Sequence, residues 1–421
     1  MKILIKGGLV IDPVNKIEKV MDILIDGNRI SKVADTIKVD AERTIDANGK
    51  IVMPGIVDMH VHLREPGRED KETVASGTKA AAKGGVTTIL TMPNTTPAID
   101  SAKNAELLKD IIKKTASVNV LIAGAITMGR NGKKLCDIAA LKKQGAIAIS
   151  DDGSSVDDSE LMLKALKDSK KEKILMVCHC EDKSLSGRGM VNRGFIATRL
   201  GMRGISNESE YKRVERDIKL AEKAGAAVHI AHVSCKESVE IIRKAKKKGI
   251  NVTADTAPHY FSLSEDELID YNTNMKINPP LRAKDDVSAI KQGLKDGTID
   301  AIASDHAPHT ENEKDIEFEY AALGSIGLET ELAVAITELV HTGLLSWSDL
   351  VKKMSGNPSK ILRIDKGTLS AGTIADVIVV SPEKEWVVKK KDFVSRSKNS
   401  AFLERKLKGM VEYTICKGKI I

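Results

Sequence analysis

The chain has 421 residues, more than one compact domain needs, so one large domain with a small companion is the expected organisation. Hydrophobic residues make up 42% and charged residues 30%, as in soluble globular proteins, and no long apolar run or leader pattern is present, which predicts a cytoplasmic protein without membrane contact. The net charge of +7 comes from lysines spread over presumed helix faces, such as Lys244, Lys246, Lys247 and Lys248, and with only 3% aromatic residues no stacking platform for a nucleic acid accompanies it.

Residues 1–54 read as short strands and turns, with Asp26 and Gly27 as a hairpin signal and no helical period. From residue 55 apolar strands alternate with amphipathic stretches, the signature of parallel βα units. Eight candidate strands fall at 56–62, 86–92, 118–126, 146–152, 174–180, 227–234, 251–256 and 299–306. Stretches such as 69–83, 102–115, 157–170 and 206–223 are rich in Ala, Lys, Glu and Leu and predict helices. Eight units predict a (β/α)8 TIM-like barrel over 55–364, with its chemistry at the carboxyl ends of the strands. A helical tail near 325–362 leads back to β character in ADVIVVSP and MVEYTICKGKII. The two ends, 1–54 and 365–421, are expected to pair into one small β-sandwich domain.

The stretch DMHVHLREPG, residues 58–67, anchors the site. Strand alternation puts Asp58, His60, His62 and Arg64 on one face and Val57, Met59 and Val61 on the other, so two imidazoles can reach one metal ion. Arg64, one step further on, brings a planar charged fork to the rim, suited to a carboxylate. The other expected ligands end different strands: His179 in MVCHC, His232 in HIAHVS and Asp305 in ASDHAPH. In AIAISDDG the small residues Ala146, Ala148 and Ser150 suit a crowded interior, and parity with them selects Asp152 over its neighbour Asp151. Parity sets His229 and His306 aside as packing or supporting residues, and His259 lies where it could line the pocket. The five cysteines show no disulfide pattern, as expected in a reducing compartment. Cys178 and Cys180 flank His179, and alternation turns both thiols away from its face.

The motifs VDMHVHLREPG, TMPNT at 91–95, ISDDG at 149–153, HVS at 232–234, INPPLR at 277–282 and ASDHAPHT at 303–310 together resemble the dihydroorotases. The likeness is to the long, bacterial-type branch of that family in the amidohydrolase superfamily, and it runs over nearly the whole chain. It implies zinc-dependent, reversible hydrolysis of the cyclic amide of dihydroorotate to carbamoyl aspartate in pyrimidine biosynthesis. His60 and His62 match the ligands of one zinc, His179 and His232 those of a second, and Asp152 the carboxylate between them. Two zinc ions per subunit are expected, or one with the second position vacant.

Asp305 matches the acid/base residue that also leans on the first metal. Arg64, Asn94 and His309 match the groups that hold the substrate carboxylate, and Asn278 a residue touching the pyrimidine ring. As further partners the resemblance admits a second copy of the chain or aspartate transcarbamoylase. Hydantoinases and allantoinases share single motifs, but hydantoinases bridge their metals with a carbamylated lysine, and no lysine occurs from Gln144 to Val156. A non-catalytic assembly subunit is the remaining alternative, opposed by the full set of ligands. Two positions depart from the family pattern: the stretch 321–330 lacks a proline that is common near Ala322, and Cys235 replaces the threonine usual after HVS. The charged segment 310–324 is either a lid over the substrate or a surface connection.

Overall fold

The computed structural model describes residues 1–421. The first five strands are β1 (Lys2–Asp12), β2 (Ile17–Asp26), β3 (Arg29–Ala34), β4 (Arg43–Asp46) and β5 (Ile51–Pro54). The barrel begins with β6 (Ile56–Val61), β7 (Val86–Thr91), β8 (Asn119–Gly124), β9 (Ala146–Ile149) and β10 (Leu175–Cys178). A short pair, β11 (Val191–Asn192) and β12 (Gly204–Ile205), precedes β13 (Val228–Ile230), β14 (Val252–Thr256) and β15 (Ala301–Ile302). The chain closes with β16 (Val377–Val387), β17 (Lys406–Cys416) and β18 (Lys419–Ile420).

Eight parallel strands run in the order β6-β7-β8-β9-β10-β13-β14-β15. The first and last meet at a bridge between Val61 and His306, where the His62 N–H donates to the His306 carbonyl at 2.9 Å. This is the (β/α)8 TIM-like barrel. The helices between strands bury one stripe each. In Lys236–Lys247 the stripe is Ser238, Val239, Ile242 and Ala245, and the lysines face outward. Cys235 is the N-cap of that helix and makes no side-chain cap. The helix expected from residue 69 starts at Val74, because Thr73 and Ser76 form a reciprocal capping box there. No helix is long and apolar enough to cross a membrane.

Strands from both ends of the chain form a second sheet, in the order β18-β17-β16-β5-β1-β2-β3 with β4 beside β1. A core of 14 buried residues unites its two parts, with Ile3, Ile25 and Val52 from one end and Val377, Val379 and Ile415 from the other.

Two bulges correct the expected alternation. Asp58 pairs with Ile89 but Val61 with Thr91, so three steps on β6 match two on β7. Val57 and Met59 consequently fill the barrel interior with Leu90, Met92, Ala123, Ala148 and Val177, where strict alternation had them facing outward. Asp58 leaves the ligand face, and its carboxylate accepts from the N–H of His60 at 3.0 Å and of Ser304 at 3.2 Å. In β9 the register slips at Ile147, which packs toward the interior while Ala146 joins the layer under the helices, the reverse of the expectation. From Ala148 onward alternation resumes and carries Asp152 inward.

Candidate metal centre

The site forms where the strands end and their last residues leave the ladder. Ala231 faces the interior, so simple alternation would turn His232 away; a positive φ of 39° brings it back. Asp305 and Arg64 also have left-handed backbones, at φ 48° and 60°. Each such residue costs about 1–2 kcal/mol, and this kind of strain collects where the surrounding structure enforces it for a purpose.

Six expected ligands converge. The Asp152 Oδ1 lies 3.2 Å from His60 Nε2, 3.4 Å from His232 Nε2 and 3.6 Å from His179 Nδ1, and its Oδ2 lies 3.4 Å from His62 Nε2. Asp152 thus sits between two imidazole pairs. Asp305 Oδ1 approaches His62 Nε2 at 3.4 Å and His60 Nε2 at 3.8 Å. Ligand atoms about 2.0–2.2 Å from a four-coordinate cation stand roughly 3.3–3.6 Å from one another, and the observed separations fall around that range. Both ring nitrogens of His60 and Nδ1 of His232 are buried without a hydrogen-bond partner, which is rare for polar atoms away from water. A divalent cation would satisfy the Nε2 of His60 and balance the two carboxylates. The residues fit a metal.

Burial pushes both carboxyls up, but the surrounding histidines outweigh it: Asp152 is held well below the usual range and Asp305 down at about 2. Asp151 lies outside the cluster. It accepts from the N–H groups of Ile126 and Thr127 at 2.8 and 3.0 Å and so ties β9 to the end of β8.

The expected substrate-binding residues ring this cluster. Asn94 Oδ1 accepts from His62 Nδ1 at 2.8 Å, which fixes the tautomer that turns Nε2 to the carboxylates. Arg64 is half-buried; its Nε donates to the Pro308 carbonyl at 3.1 Å and its Nη2 lies 3.4 Å from His309 Nε2. Asn278 donates to Glu181 Oε2 at 3.2 Å. His259 is buried with Nε2 unpartnered, and burial lowers its pKa to about 4. His306 packs outside the cluster against Glu72, as expected.

Four contributors escaped the sequence reading. Glu181 accepts from His179 Nε2 at 3.2 Å as well as from Asn278, and its spacing of two from His179 was the available signal. Lys71 faces His309 Nδ1 at 3.2 Å and Glu313 at 2.8 Å, and nothing in the sequence marked it. In the charged segment 310–324, Lys314 is buried and donates to the carbonyls of Ala322 at 2.8 Å and Gly324 at 3.0 Å. Lys276 likewise holds the carbonyls of Phe318 and Glu319, both at 2.8 Å. Two interior ammonium groups therefore organise this segment. The Ala322 N–H donates to the Glu313 carbonyl at 2.9 Å, a bond a proline there could not make.

Residues 49–238 match the family model described as Dihydro-orotase-like. The dihydroorotase of Elusimicrobium minutum is 53% identical over 420 residues, covering 100% of this chain and 97% of that protein. The dihydroorotase of Geobacter metallireducens is 49% identical, covering 100% and 99%. Among solved structures, the L-hydantoinase (dihydropyrimidinase) of Arthrobacter aurescens superposes with a TM-score of 0.90 at 25% identity, covering 100% of this chain and 95% of that one. Sequence likeness at this level over the full length, on a barrel shared with a solved hydantoinase, makes the chain a member of the dihydroorotase family.

Proposed function

We propose that the protein is a dihydroorotase that opens the cyclic amide of dihydroorotate to carbamoyl aspartate and closes it in reverse. The observation that carries this is Arg64 standing at the rim of a cluster in which a carboxylate, Asp152, lies between two imidazole pairs. Zinc is the metal that the donor set of imidazole and carboxylate suits. His60 and His62 would hold one ion, His179 and His232 a second, with Asp152 shared between them and Asp305 beside the first. The chemistry zinc supplies when bound is Lewis acidity and hydroxide at neutral pH.

The chain's own groups do the rest. Asp305, ionised at neutral pH, accepts the proton of the attacking water as oxygen bonds to the ring carbonyl carbon. As the carbon–nitrogen bond breaks, the same carboxyl gives that proton to the departing ring nitrogen. Arg64 is pinned through Nε, and because His309 Nε2 donates to the Leu323 carbonyl at 2.9 Å it takes no bond from the guanidinium, so both terminal nitrogens remain for the substrate carboxylate. Asn94 has its oxygen engaged by His62 and offers its NH2 group to the same anion. With its amide NH2 engaged by Glu181, Asn278 has its oxygen left for a ring N–H. A guanidinium left without its anion is costly, which rejects neutral hydantoins more strongly than an apolar pocket could.

Zinc analysis coupled to an activity panel with dihydroorotate, hydantoin and allantoin tests this. We expect two zinc ions per chain and turnover of dihydroorotate far above the others; faster hydantoin turnover would transfer the protein to the second substrate class. The free cysteines accord with a cytoplasmic setting, and co-sedimentation with aspartate transcarbamoylase tests that partner. The separate core of the terminal sheet supports placing 1–54 and 365–421 in one domain and 55–364 in the barrel.

A further inference from the structure

His229 and Asp255 form a buried pair that the steps above do not use. Their side chains are 0% and 1% exposed. Unlike His60 and His232, His229 has both ring nitrogens engaged: Nδ1 meets the Thr253 hydroxyl at 2.8 Å and Nε2 meets Asp255 Oδ2 at 2.8 Å. It has no nitrogen left for a cation. The second oxygen of Asp255 accepts from the backbone N–H of His232 at 2.6 Å. Both oxygens of the carboxylate are thus occupied, one by a side chain of β13 and one by the residue that must turn back into the site.

That turn is the point at which alternation fails. Ala231 faces the barrel interior, and His232 reaches Asp152 only through its left-handed backbone at φ 39°. Asp255, on β14, grips the amide at that residue, and His229, three residues earlier on the neighbouring strand, braces the carboxylate from the other side. Thr253 fixes the imidazole in turn. Thr253 and Asp255 share one face of β14, so the strand presents two consecutive same-face polar groups to β13. Around Asp305 the chain uses a related arrangement: Asp58 accepts from the Ser304 N–H, and the Ser304 hydroxyl accepts from the His306 N–H at 3.1 Å. Each left-handed ligand is bracketed by a buried carboxylate that is not itself a ligand.

Resting on the metal-centre reading above, we propose that Asp255, braced by His229 and Thr253, is a positioning residue that holds His232 in the backbone conformation needed to bind the metal. The test is the affinity of the full chain for zinc alone, measured by competition with a chromophoric chelator, together with melting of the metal-free protein and the kcat and KM for dihydroorotate. In Asp255→Asn, zinc affinity falls about 10- to 100-fold, the range for outer partners of metal ligands. kcat falls with it, while KM stays within about twofold because the carboxylate clamp is untouched. Thr253→Val keeps Asp255 in place and loses less affinity, in the same direction; it decides the matter if Asp255→Asn does not fold.

Zinc affinity within twofold of the original in both variants overturns the proposal. A lowered melting temperature with unchanged zinc affinity also overturns it, since the triad would then serve packing alone. A parent chain that binds zinc but leaves dihydroorotate intact would count against the proposed activity, and the affinity comparison would still decide the role of Asp255.

Discussion

The two halves of the barrel interior are buried to the same degree and do opposite things. In the lower half Val57, Met59, Leu90, Met92, Ala123, Ala148 and Val177 are at most 1% exposed, and Leu362 joins them from the last helix. Further along the barrel strands or just past their ends, His60, His62, Asp152, His179, His232 and Asp305 are 0–6% exposed. Below, burial of apolar surface stabilises the fold by about 25 cal/mol per Å². Above, burial of ionisable groups and left-handed backbone costs stability, and only a cation and a set of well-placed hydrogen bonds offset it. The barrel separates what holds it together from what it does by a few ångströms along each strand.

Several substitutions would break or sharpen that division. The largest effect is expected for Asp152→Asn, which should cut turnover of dihydroorotate by roughly three orders of magnitude, as removal of one essential group from a catalytic set does, and reduce bound zinc. Its thermal melt in the metal-free state should stay close to that of the parent, and a collapse of the fold would refute the division. Arg64→Ala should lower kcat/KM about a hundredfold, equivalent to roughly 3 kcal/mol, with zinc content retained; full activity would dismiss the carboxylate clamp. Met59→Ala, one residue before a ligand, should destabilise the protein by about 2–5 kcal/mol in urea unfolding yet bind zinc normally once folded.

The smallest effect concerns Lys353 beneath the barrel floor, whose ammonium donates to the Ile299 carbonyl at 2.8 Å. Burial lowers its pKa from 10.5 to about 8, with Asp300 opposing the shift. Between those values the unfolded chain binds more protons than the folded one, so this residue makes stability rise with pH from about 8 to 10.5. Melting curves of Lys353→Met should lack that rise relative to the parent, and parallel pH profiles would remove Lys353 from the account.

Much of this was legible in the residues, and where it was not the reason is local. The eight apolar runs located every barrel strand, but several were drawn too long. The run 299–306 contains a strand of only Ala301–Ile302, and 227–234 one of Val228–Ile230. The surplus residues are those that leave the ladder to form the site. Parity pointed Asp152 inward past the bulge at Ile147, where it meets the histidines, whereas it misplaced Asp58 and Met59 because a one-residue slip exchanges the faces. His232 came from its place at a strand end, and its φ of 39° is a property that no pattern of polar and apolar residues announces. Nothing in the sequence marked Lys71, Lys276 or Lys314. Their burial depends on carbonyls and acids brought together from distant parts of the chain, including Glu313, Phe318 and Ala322.

The sheet built from both ends of the chain sets a schedule for biosynthesis. Ile3, Ile25 and Val52 leave the ribosome long before their partners Val377, Val379 and Ile415. While the barrel between them is made, the leading strands must wait with a greasy face uncovered. Completion of the sheet therefore acts as a seal that waits for Val377 and the strands after it, and chains cut short before Val377 would emerge with that face still open to chaperones and proteases.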